Sequence, residues 1–234
     1  MTERLTLAQL TGRDASHLSE LADGQRLVPA AAAAFRQLQG DARQAGFELA
    51  IASSYRSFER QLAIFNGKAR GERPLHDDRG RPLAFPALSP QQLLHAILRF
   101  SALPGTSRHH WGTDLDVYDA AAVGPDYQLQ LTPQEVQPPG PFAPLHAWLD
   151  QRMAAGQSHG FFRPYGEDRG GVAPERWHLS YAPLARQCAG KLSAGQLLAC
   201  WRGELELLEE VEPELEALLA RYVNVPANWC PREP

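Results

Sequence analysis

Apolar residues recur at two spacings along this chain, and each spacing predicts one kind of element. Spacings of three and four residues, typical of helices with one buried face, mark five segments: Pro29 to Ala45, the residues after Ser57, the residues after Ser89, the segment from Leu145 to Met153, and most of the chain from Pro183 onward. Alternation of apolar with polar or small residues predicts four short strands: Phe47 to Ile51, Thr113 to Tyr118, Gly160 to Phe162, and Trp177 to Tyr181.

Turn-forming residues separate these elements. The segment from Arg70 to Leu88 is rich in Pro, Gly and charge and predicts a surface insertion. The proline-rich segment from Ala120 to Pro141 is interpreted as the rim of a cleft, and Gly166 to Gly171 as a Gly-rich loop.

The order of helices and strands predicts an α+β fold. We expect a small antiparallel sheet that carries a metal site, with helices packed on one face and a helical C-terminal extension. The catalytic domain is expected at residues 1–182, with the extension, residues 183–234, packed on the same domain.

Composition narrows the function classes. Hydrophobic residues make up 44% and charged residues 21%, which is ordinary for a globular protein. The net charge of -4 gives no electrostatic case for nucleic acid or an anionic membrane. No apolar run reaches membrane-spanning length, and the chain starts without a basic segment followed by an apolar one. We therefore expect a cytoplasmic protein, and a monomer.

The cysteines are expected to be free thiols. Because the sequence shows no secretory signal, free thiols are favoured over a Cys200–Cys230 disulfide.

The candidate chemistry lies in two separated stretches. In residues 107–117, His109 precedes a glycine and two carboxylates, Asp114 and Asp116. Far downstream, Glu175 stands three residues before His178. Two imidazoles and one carboxylate suit zinc and leave a fourth position for water, toward which a nearby glutamate can act as general base. If residues 113–117 form a strand, Asp114 and Asp116 share a face, so periodicity cannot choose between them as the ligand.

Three motifs resemble those of the VanY-type zinc D-alanyl-D-alanine carboxypeptidases. Ser107-Arg108-His109 with Gly112 and Asp116 is similar to their Ser-x-His-x-x-Gly-x-x-x-Asp motif, and Glu175-Arg176-Trp177-His178 to their Glu-x-Trp-His motif. Ser54-Tyr55-Arg56-Ser57 with Gln61 resembles their Tyr-Arg-Ser element. The motifs follow the family's order, and the resemblance covers roughly residues 45 to 182.

The resemblance implies one zinc ion on His109, Asp116 and His178, with Glu175 as base and Arg56 as the cation that stabilises the developing oxyanion. It places Ser107 as a substrate contact, with Tyr55, Gln61 and Trp177 as further residues of the substrate cleft. The implied activity is D,D-carboxypeptidase or D,D-dipeptidase action on peptidoglycan-derived peptides.

Two residues depart from the family pattern. The family usually has a small or apolar residue at position 114 and often an acidic one at position 108. Asp114 is therefore expected to add a carboxylate beside the metal, and Arg108 a cation at the mouth of the site. The alternatives are an L,D-carboxypeptidase of muropeptide recycling and, in another class, a zinc-bearing peptidoglycan-binding module without activity.

Overall fold

A computed structural model describes residues 4–224 and shows an α+β fold built on a four-stranded antiparallel sheet. The strands of this sheet are β3 (Leu49–Ser53), β4 (Asp114–Asp119), β5 (Phe161–Phe162) and β6 (His178–Tyr181), in the order β3-β4-β6-β5. A two-stranded ribbon, β1 (Ser19–Glu20) and β2 (Arg26–Leu27), precedes it. The predicted fold class is confirmed.

The helices lie between and after the strands. They are α1 (Leu7–Leu10), α2 (Pro29–Gln44), α3 (Phe58–Ala69), α4 (Pro90–Leu98), α5 (Pro133–Val136), α6 (Ala143–Ala154), α7 (Ala182–Cys188), α8 (Ala194–Trp201), α9 (Leu208–Val211) and α10 (Leu215–Leu218). Short 3₁₀ turns form at Phe85–Ala87, Arg108–Trp111, Ala120–Ala122 and Glu212–Glu214, and a π-helical turn at Leu219–Val223. Among the described residues, no helix is long and apolar enough to cross a membrane.

Helix starts follow the local sequence. The Ser57 hydroxyl accepts a hydrogen bond from the Arg60 amide at the start of α3. Ser89 and Gln92 form a reciprocal capping box at the start of α4, with Pro90 in the first turn. Each cap satisfies amides that the first helical turn leaves without partners, and a single cap stabilises a helix by about 1 kcal/mol.

One face of the sheet packs on α2 and α6. Strand alternation brings Leu115, Val117 and Leu179 to this face, where all three are fully buried. Burial of each such side chain stabilises the fold by about 1.5–3 kcal/mol. The polar side chains of β4 and β6 consequently lie on the opposite face, where the candidate site forms.

A second core joins α3 and α4 to the C-terminal helices. Phe65 of α3, Ile97 of α4 and Trp201 of α8 are fully buried in it. The Trp201 indole donates a hydrogen bond to the Pro104 carbonyl at 2.9 Å, three residues before Ser107. The C-terminal helices therefore support the segment that leads into the candidate site. Cys230 lies outside the described residues.

The two long loops contain more structure than the sequence predicted. Residues 70–88 include a bridge between His76 and Pro82, and residues 120–141 include α5. Arg99, just after α4, forms ion pairs with Asp78 of the insertion and Asp168 of the Gly-rich loop. The rim loops are thereby fastened to α4.

Candidate metal centre

Three side chains from separate segments converge on one point. His109 lies in the 3₁₀ turn, Asp116 on β4 and His178 on β6. Asp116 and His178 are direct partners in the antiparallel register, so their side chains lie side by side. One ligand atom from each of the three residues lies within 4.8 Å of the others, and all three residues are buried.

Gly112 gives the 3₁₀ turn its geometry. Its φ of 70° lies in the left-handed region, and an added Cβ would overlap Leu18. Glycine therefore suits the turn between His109 and β4, because another residue would be strained at this φ and would require Leu18 to move.

The two histidines present different ring nitrogens to the site. The Nδ1 of His109 donates to the Ser54 carbonyl at 2.8 Å, which leaves its Nε2 facing Asp116 Oδ2 at 3.5 Å. The Nε2 of His178 donates to Asp114 Oδ1 at 2.9 Å, so its Nδ1 faces Asp116 Oδ1 at 3.5 Å. Hydrogen bonds on the far nitrogens fix both rings for metal binding.

Asp114 and Asp116 share a face of β4 but have different surroundings. Asp116 faces both histidines of the centre, whereas Asp114 accepts hydrogen bonds from Arg108 at 2.8 Å, Thr113 at 2.6 Å and Ser180 at 3.0 Å. Burial would raise the pKa of Asp114, but the Arg108 guanidinium and the His178 hydrogen bond hold it well below its usual range. Asp114 therefore orients His178, and Asp116 is the carboxylate available to a metal.

The expectation for Arg108 was wrong. Its side chain is only 2% exposed and ion-paired with Asp114, and its guanidinium also stacks over Trp111. It is a buried partner of Asp114 and adds no cation at the mouth of the site.

The residue types of the donor set, two imidazoles and one carboxylate, fit a zinc ion. Zinc-to-ligand bonds of about 2.0–2.1 Å at tetrahedral angles place neighbouring ligand atoms about 3.3–3.4 Å apart. The distances from His109 Nε2 to Asp116 Oδ2 and from His178 Nδ1 to Asp116 Oδ1 are both 3.5 Å, and one ligand atom from each residue lies within 4.8 Å of the other two. Among the described residues, Asp116 Oδ1 has no hydrogen-bond partner although it is buried. A buried carboxylate that places one oxygen toward each of two imidazoles, and whose Oδ1 has no hydrogen-bond partner among the described residues, indicates a site for a cation.

The pKa values of the centre follow from burial and crowding. Burial, with the nearby Glu175 charge, raises the pKa of Asp116 to about 6. Burial alone would lower the pKa of His178, but hydrogen bonds to Asp114 and Glu175 raise it to about 9. Without a metal, the His178 ring therefore carries a proton that a metal ion would have to displace.

Glu175 lies beside the three ligands. Its Oε2 is 3.4 Å from His178 Nδ1, and its side chain is 15% exposed in the cleft. A turn in which the His178 amide donates to the Glu175 carbonyl holds the two residues together. The Glu175 amide in turn donates to the Tyr165 carbonyl, so the Gly-rich loop positions this carboxylate.

Arg56 approaches from the end of β3. Its guanidinium donates to Gln61 at 3.0 Å and to the Ser53 hydroxyl at 3.5 Å. Its backbone donates to the His109 carbonyl and accepts a hydrogen bond from His110 Nδ1. Burial lowers the pKa of Arg56, with the charges of Asp116 and Glu175 opposing the shift. The cation is therefore held at a fixed place beside the metal ligands.

These groups open into one cleft of about 480 Å³. Ser107 and Trp177 line it, and their role as substrate contacts stays a prediction. Tyr55 and Gln61 are not among its lining residues. The Tyr55 hydroxyl donates to the Gly12 carbonyl, and the fully buried Gln61 amide donates to the Ala102 carbonyl and Ser101 hydroxyl. Gln61 thus positions Arg56, and Tyr55 ties β3 to the N-terminal segment.

Several residues of the cleft were not predicted from the sequence, among them Tyr165 and Lys68. Tyr165 packs edge-on against the His178 ring, with centroids 5.1 Å apart. Lys68 of α3 lies half-buried in the same cleft. No local sequence pattern indicates that either residue lies in a cleft. Tyr165 precedes a Gly-rich loop, and the position of Lys68 near a helix end is typical of a solvent-exposed lysine.

Comparison with known proteins agrees with this geometry. Residues 24–184, well over half of the chain, match the family VanY, D-alanyl-D-alanine carboxypeptidase. The chain belongs to the VanY family. All three motifs lie inside the matched region, so the resemblance seen in the sequence is confirmed.

Individual relatives extend the comparison. An uncharacterized protein of Haemophilus influenzae is 44% identical over 104 residues, 43% of this chain and 71% of the relative. A second uncharacterized protein of that organism is 31% identical over 124 residues, 52% of this chain and 92% of the relative. The chain is also similar to the structure of a mutant vancomycin resistance D,D-pentapeptidase VanY in complex with Zn(II). That similarity has a TM-score of 0.50 and 23% identity, and covers 85% of this chain and 92% of the other. At this identity it shows a shared fold.

Proposed function

We propose that this protein is a zinc-dependent peptidase that releases the C-terminal D-amino acid from cell-wall peptides, as a D,D-carboxypeptidase or D,D-dipeptidase. The observation that carries the proposal is the convergence of His109, Asp116 and His178 with Glu175 and Arg56 in one cleft. Membership of the VanY family supports the substrate class.

The donor set favours zinc over other common metals. Two imidazole nitrogens and one carboxylate oxygen suit a borderline cation and not magnesium or calcium, which prefer oxygen ligands. A zinc ion held there would polarise the scissile carbonyl and lower the pKa of water to roughly 7.

Glu175 is proposed as the general base. It projects into the cleft, and its carboxylate lies 3.4 Å from a ligand nitrogen of the centre. From there it can accept a proton from the attacking water and pass it to the departing amine. Backbone hydrogen bonds to the His178 amide and the Tyr165 carbonyl hold the main chain of Glu175 beside the proposed ligands.

Arg56 is proposed to stabilise the negative charge that develops on the peptide oxygen. Hydrogen bonds to Gln61 and Ser53 and a backbone anchored by His110 hold the guanidinium in place before substrate arrives. A preorganised donor of this kind gains strength as the charge forms, so it accelerates the reaction in addition to binding the substrate. Ser107 and Trp177, which line the same cleft, are proposed as substrate contacts.

Mass spectrometry of muropeptides incubated with zinc-loaded protein tests this function. Conversion of pentapeptide to tetrapeptide supports D,D-carboxypeptidase activity. Hydrolysis of free D-alanyl-D-alanine to two molecules of D-alanine supports D,D-dipeptidase activity. Conversion of tetrapeptide to tripeptide alone would replace the proposal with an L,D-carboxypeptidase. Binding of zinc with no turnover of any peptide would instead favour a binding module. Chelator-treated protein and Glu175→Ala serve as inactive controls, and Glu167→Ala, at an exposed loop glutamate, as the matched active control.

A further inference from the structure

Lys68 lies on the same face of α3 as the residue that holds Arg56. It follows Gln61 by seven residues, two helical turns, which returns the side chain to nearly the same direction. Helical side chains lean toward the N-terminal end of their helix, so the Lys68 stem runs back toward Gln61 and Arg56. Lys68, Arg56 and Glu175 accordingly line one cleft.

Among the lysine and arginine residues that line the cleft, Lys68 differs from Arg56 and Arg108 in having no hydrogen-bond or ion-pair partner within the described residues. Arg56 is hydrogen-bonded to Gln61, and Arg108 is ion-paired with Asp114. Within residues 4–224, no hydrogen bond or ion pair engages the half-buried Lys68 side chain. Burial lowers the pKa of its ammonium to about 8, with the Glu175 charge opposing the shift, so most of it is charged at neutral pH.

The charges that line the cleft leave the Lys68 ammonium available to bind an anionic group of a ligand. Beside the proposed metal site, the negative charges of Asp116 and Glu175 are balanced by Arg56 and Lys68. The other two acidic residues that line the cleft, Asp77 and Asp78, are ion-paired with Arg81 and Arg99. A divalent metal ion on the three ligands therefore gives the site an excess positive charge that an anionic ligand can neutralise. A partly desolvated ammonium gains most from a charge-assisted hydrogen bond to such an anion.

The wall of the cleft beside these cations is compact. Ser101 and Ala102 line it and are held by the amide of Gln61, at 3.2 and 2.8 Å. In a bound peptide with its scissile oxygen at Arg56, the C-terminal carboxylate lies about one residue, roughly 3.8 Å, further along the chain. A second cation displaced from Arg56 along α3 suits that group.

We propose that Lys68 binds the free α-carboxylate of the residue that is released, and so restricts cleavage to the ends of peptides. This inference rests on the proposed function and adds a specificity-determining residue to it. Lys68 does not take part in the bond-breaking step in this assignment.

Direct binding tests the assignment without turnover. Zinc-loaded Glu175→Ala protein is titrated calorimetrically with D-alanyl-D-alanine and with its C-terminal amide, which lacks only the carboxylate charge. The same titrations are made with two double variants, in which Glu175→Ala is combined with either Lys68→Met or Lys68→Arg. Lys68→Met keeps the length of the side chain, and Lys68→Arg keeps its charge. Lys191→Met is the matched control, because Lys191 is the chain's other lysine and is exposed.

Lys68→Met should weaken binding of the dipeptide by about 10- to 100-fold, the usual effect of removing a charged hydrogen-bond partner. Binding of the amide should change less than about twofold, and Lys68→Arg should recover most of the dipeptide affinity. Lys191→Met should change neither, and thermal melting should confirm that each variant is folded.

Three results would overturn the assignment. Unchanged dipeptide binding in Lys68→Met would assign carboxylate recognition to other groups and leave the proposed function standing. An equal loss for dipeptide and amide would show that Lys68 acts on the cleft and not on the carboxylate. Failure of both peptides to bind zinc-loaded Glu175→Ala protein, with Lys68 intact, would refute the proposed function and the assignment together.

Discussion

Replacing either carboxylate of β4 by its amide should have opposite consequences for stability and metal binding. Asp114→Asn and Asp116→Asn are the same chemical change two residues apart on one face of one strand. Asp114 forms an ion pair with the buried Arg108 and orients His178. Asp116 is the proposed ligand, and its Oδ1 has no hydrogen bond in the described part of the chain.

Asp114→Asn removes the carboxylate that is ion-paired with Arg108, whose side chain is only 2% exposed. Breaking a buried ion pair from one side costs about 3–5 kcal/mol. At the lower bound of about 3 kcal/mol, the Tm of the metal-free protein should fall by roughly 6–12 °C. Because His178 keeps a weaker acceptor at Nε2, zinc affinity should fall by about 10- to 100-fold but not vanish.

Asp116→Asn should behave in the reverse way. Burial raises the pKa of this carboxyl from 3.8 to about 6, so the folded state disfavours the carboxylate that the unfolded chain carries. Above pH 6 this penalty is on the order of 3 kcal/mol, and it disappears as pH falls below 3.8. The metal-free variant should therefore melt at the same or a higher temperature at pH 7, while zinc is lost with one of three ligands.

Thermal unfolding of metal-free protein and zinc competition against a chelator measure both effects on the same preparations. The reasoning is refuted if Asp114→Asn abolishes zinc binding while Asp116→Asn retains it, because the ligand would then be the other carboxylate. It is also refuted if Asp114→Asn melts within about 2 °C of the wild type, a shift equivalent to at most about 1 kcal/mol, which is too small for a broken buried pair.

Three further predictions concern the other groups of the centre. Glu175→Ala should retain zinc while kcat falls by about two to four orders of magnitude, as measured by zinc content and turnover; loss of zinc would make Glu175 a ligand. Arg56→Ala should also keep the metal and lower kcat roughly a hundredfold. Arg56→Lys should recover little activity, because an ammonium group cannot reproduce the planar guanidinium. Full activity of the lysine variant would argue against this role of Arg56. The pKa of His178 is about 9, so zinc must displace one proton below that pH, and zinc affinity should rise about tenfold per pH unit between pH 6 and 9. Below pH 6 the dependence should be steeper, because Asp116, with a pKa of about 6, is then protonated as well. Chelator competition, corrected for chelator protonation, measures this slope, and a flat profile would contradict it.

The sequence predicts elements well where local rules decide them. Ser57 and Ser89 mark the starts of α3 and α4, and Pro29 that of α2, because capping depends on residues within one turn. The strand order β3-β4-β6-β5 is not local, since β4 and β6 are separated by some sixty residues of loops and helices. The structure was needed to place Asp116 opposite His178.

The candidate site shows the same division. His109, Asp116, His178, Glu175 and Arg56 were identified by motif, but alternation alone left Asp114 and Asp116 equivalent. Their difference arises from Arg108 and from the far nitrogen of His178, which are tertiary contacts. Tyr55 and Gln61 fall within a motif, yet Tyr55 hydrogen-bonds to the Gly12 carbonyl and Gln61 to the Arg56 guanidinium, so both have structural roles near Arg56.

Cytoplasmic location, the monomeric state and the division into domains stay predictions. Fractionation of the native protein tests the first: recovery from the periplasm would contradict it.

The hydrogen bond from Trp201 to the Pro104 carbonyl has a consequence for how the protein can be divided experimentally. Trp201 lies beyond the region that matches the VanY family, yet it is fully buried and supports the chain three residues before Ser107. A fragment cut at residue 184 would keep every proposed ligand but expose Phe65 and Ile97, which α8 and the helices after it cover. Such an apolar surface promotes aggregation. The boundaries of a minimal functional unit are therefore set by the second core and not by the limits of sequence similarity.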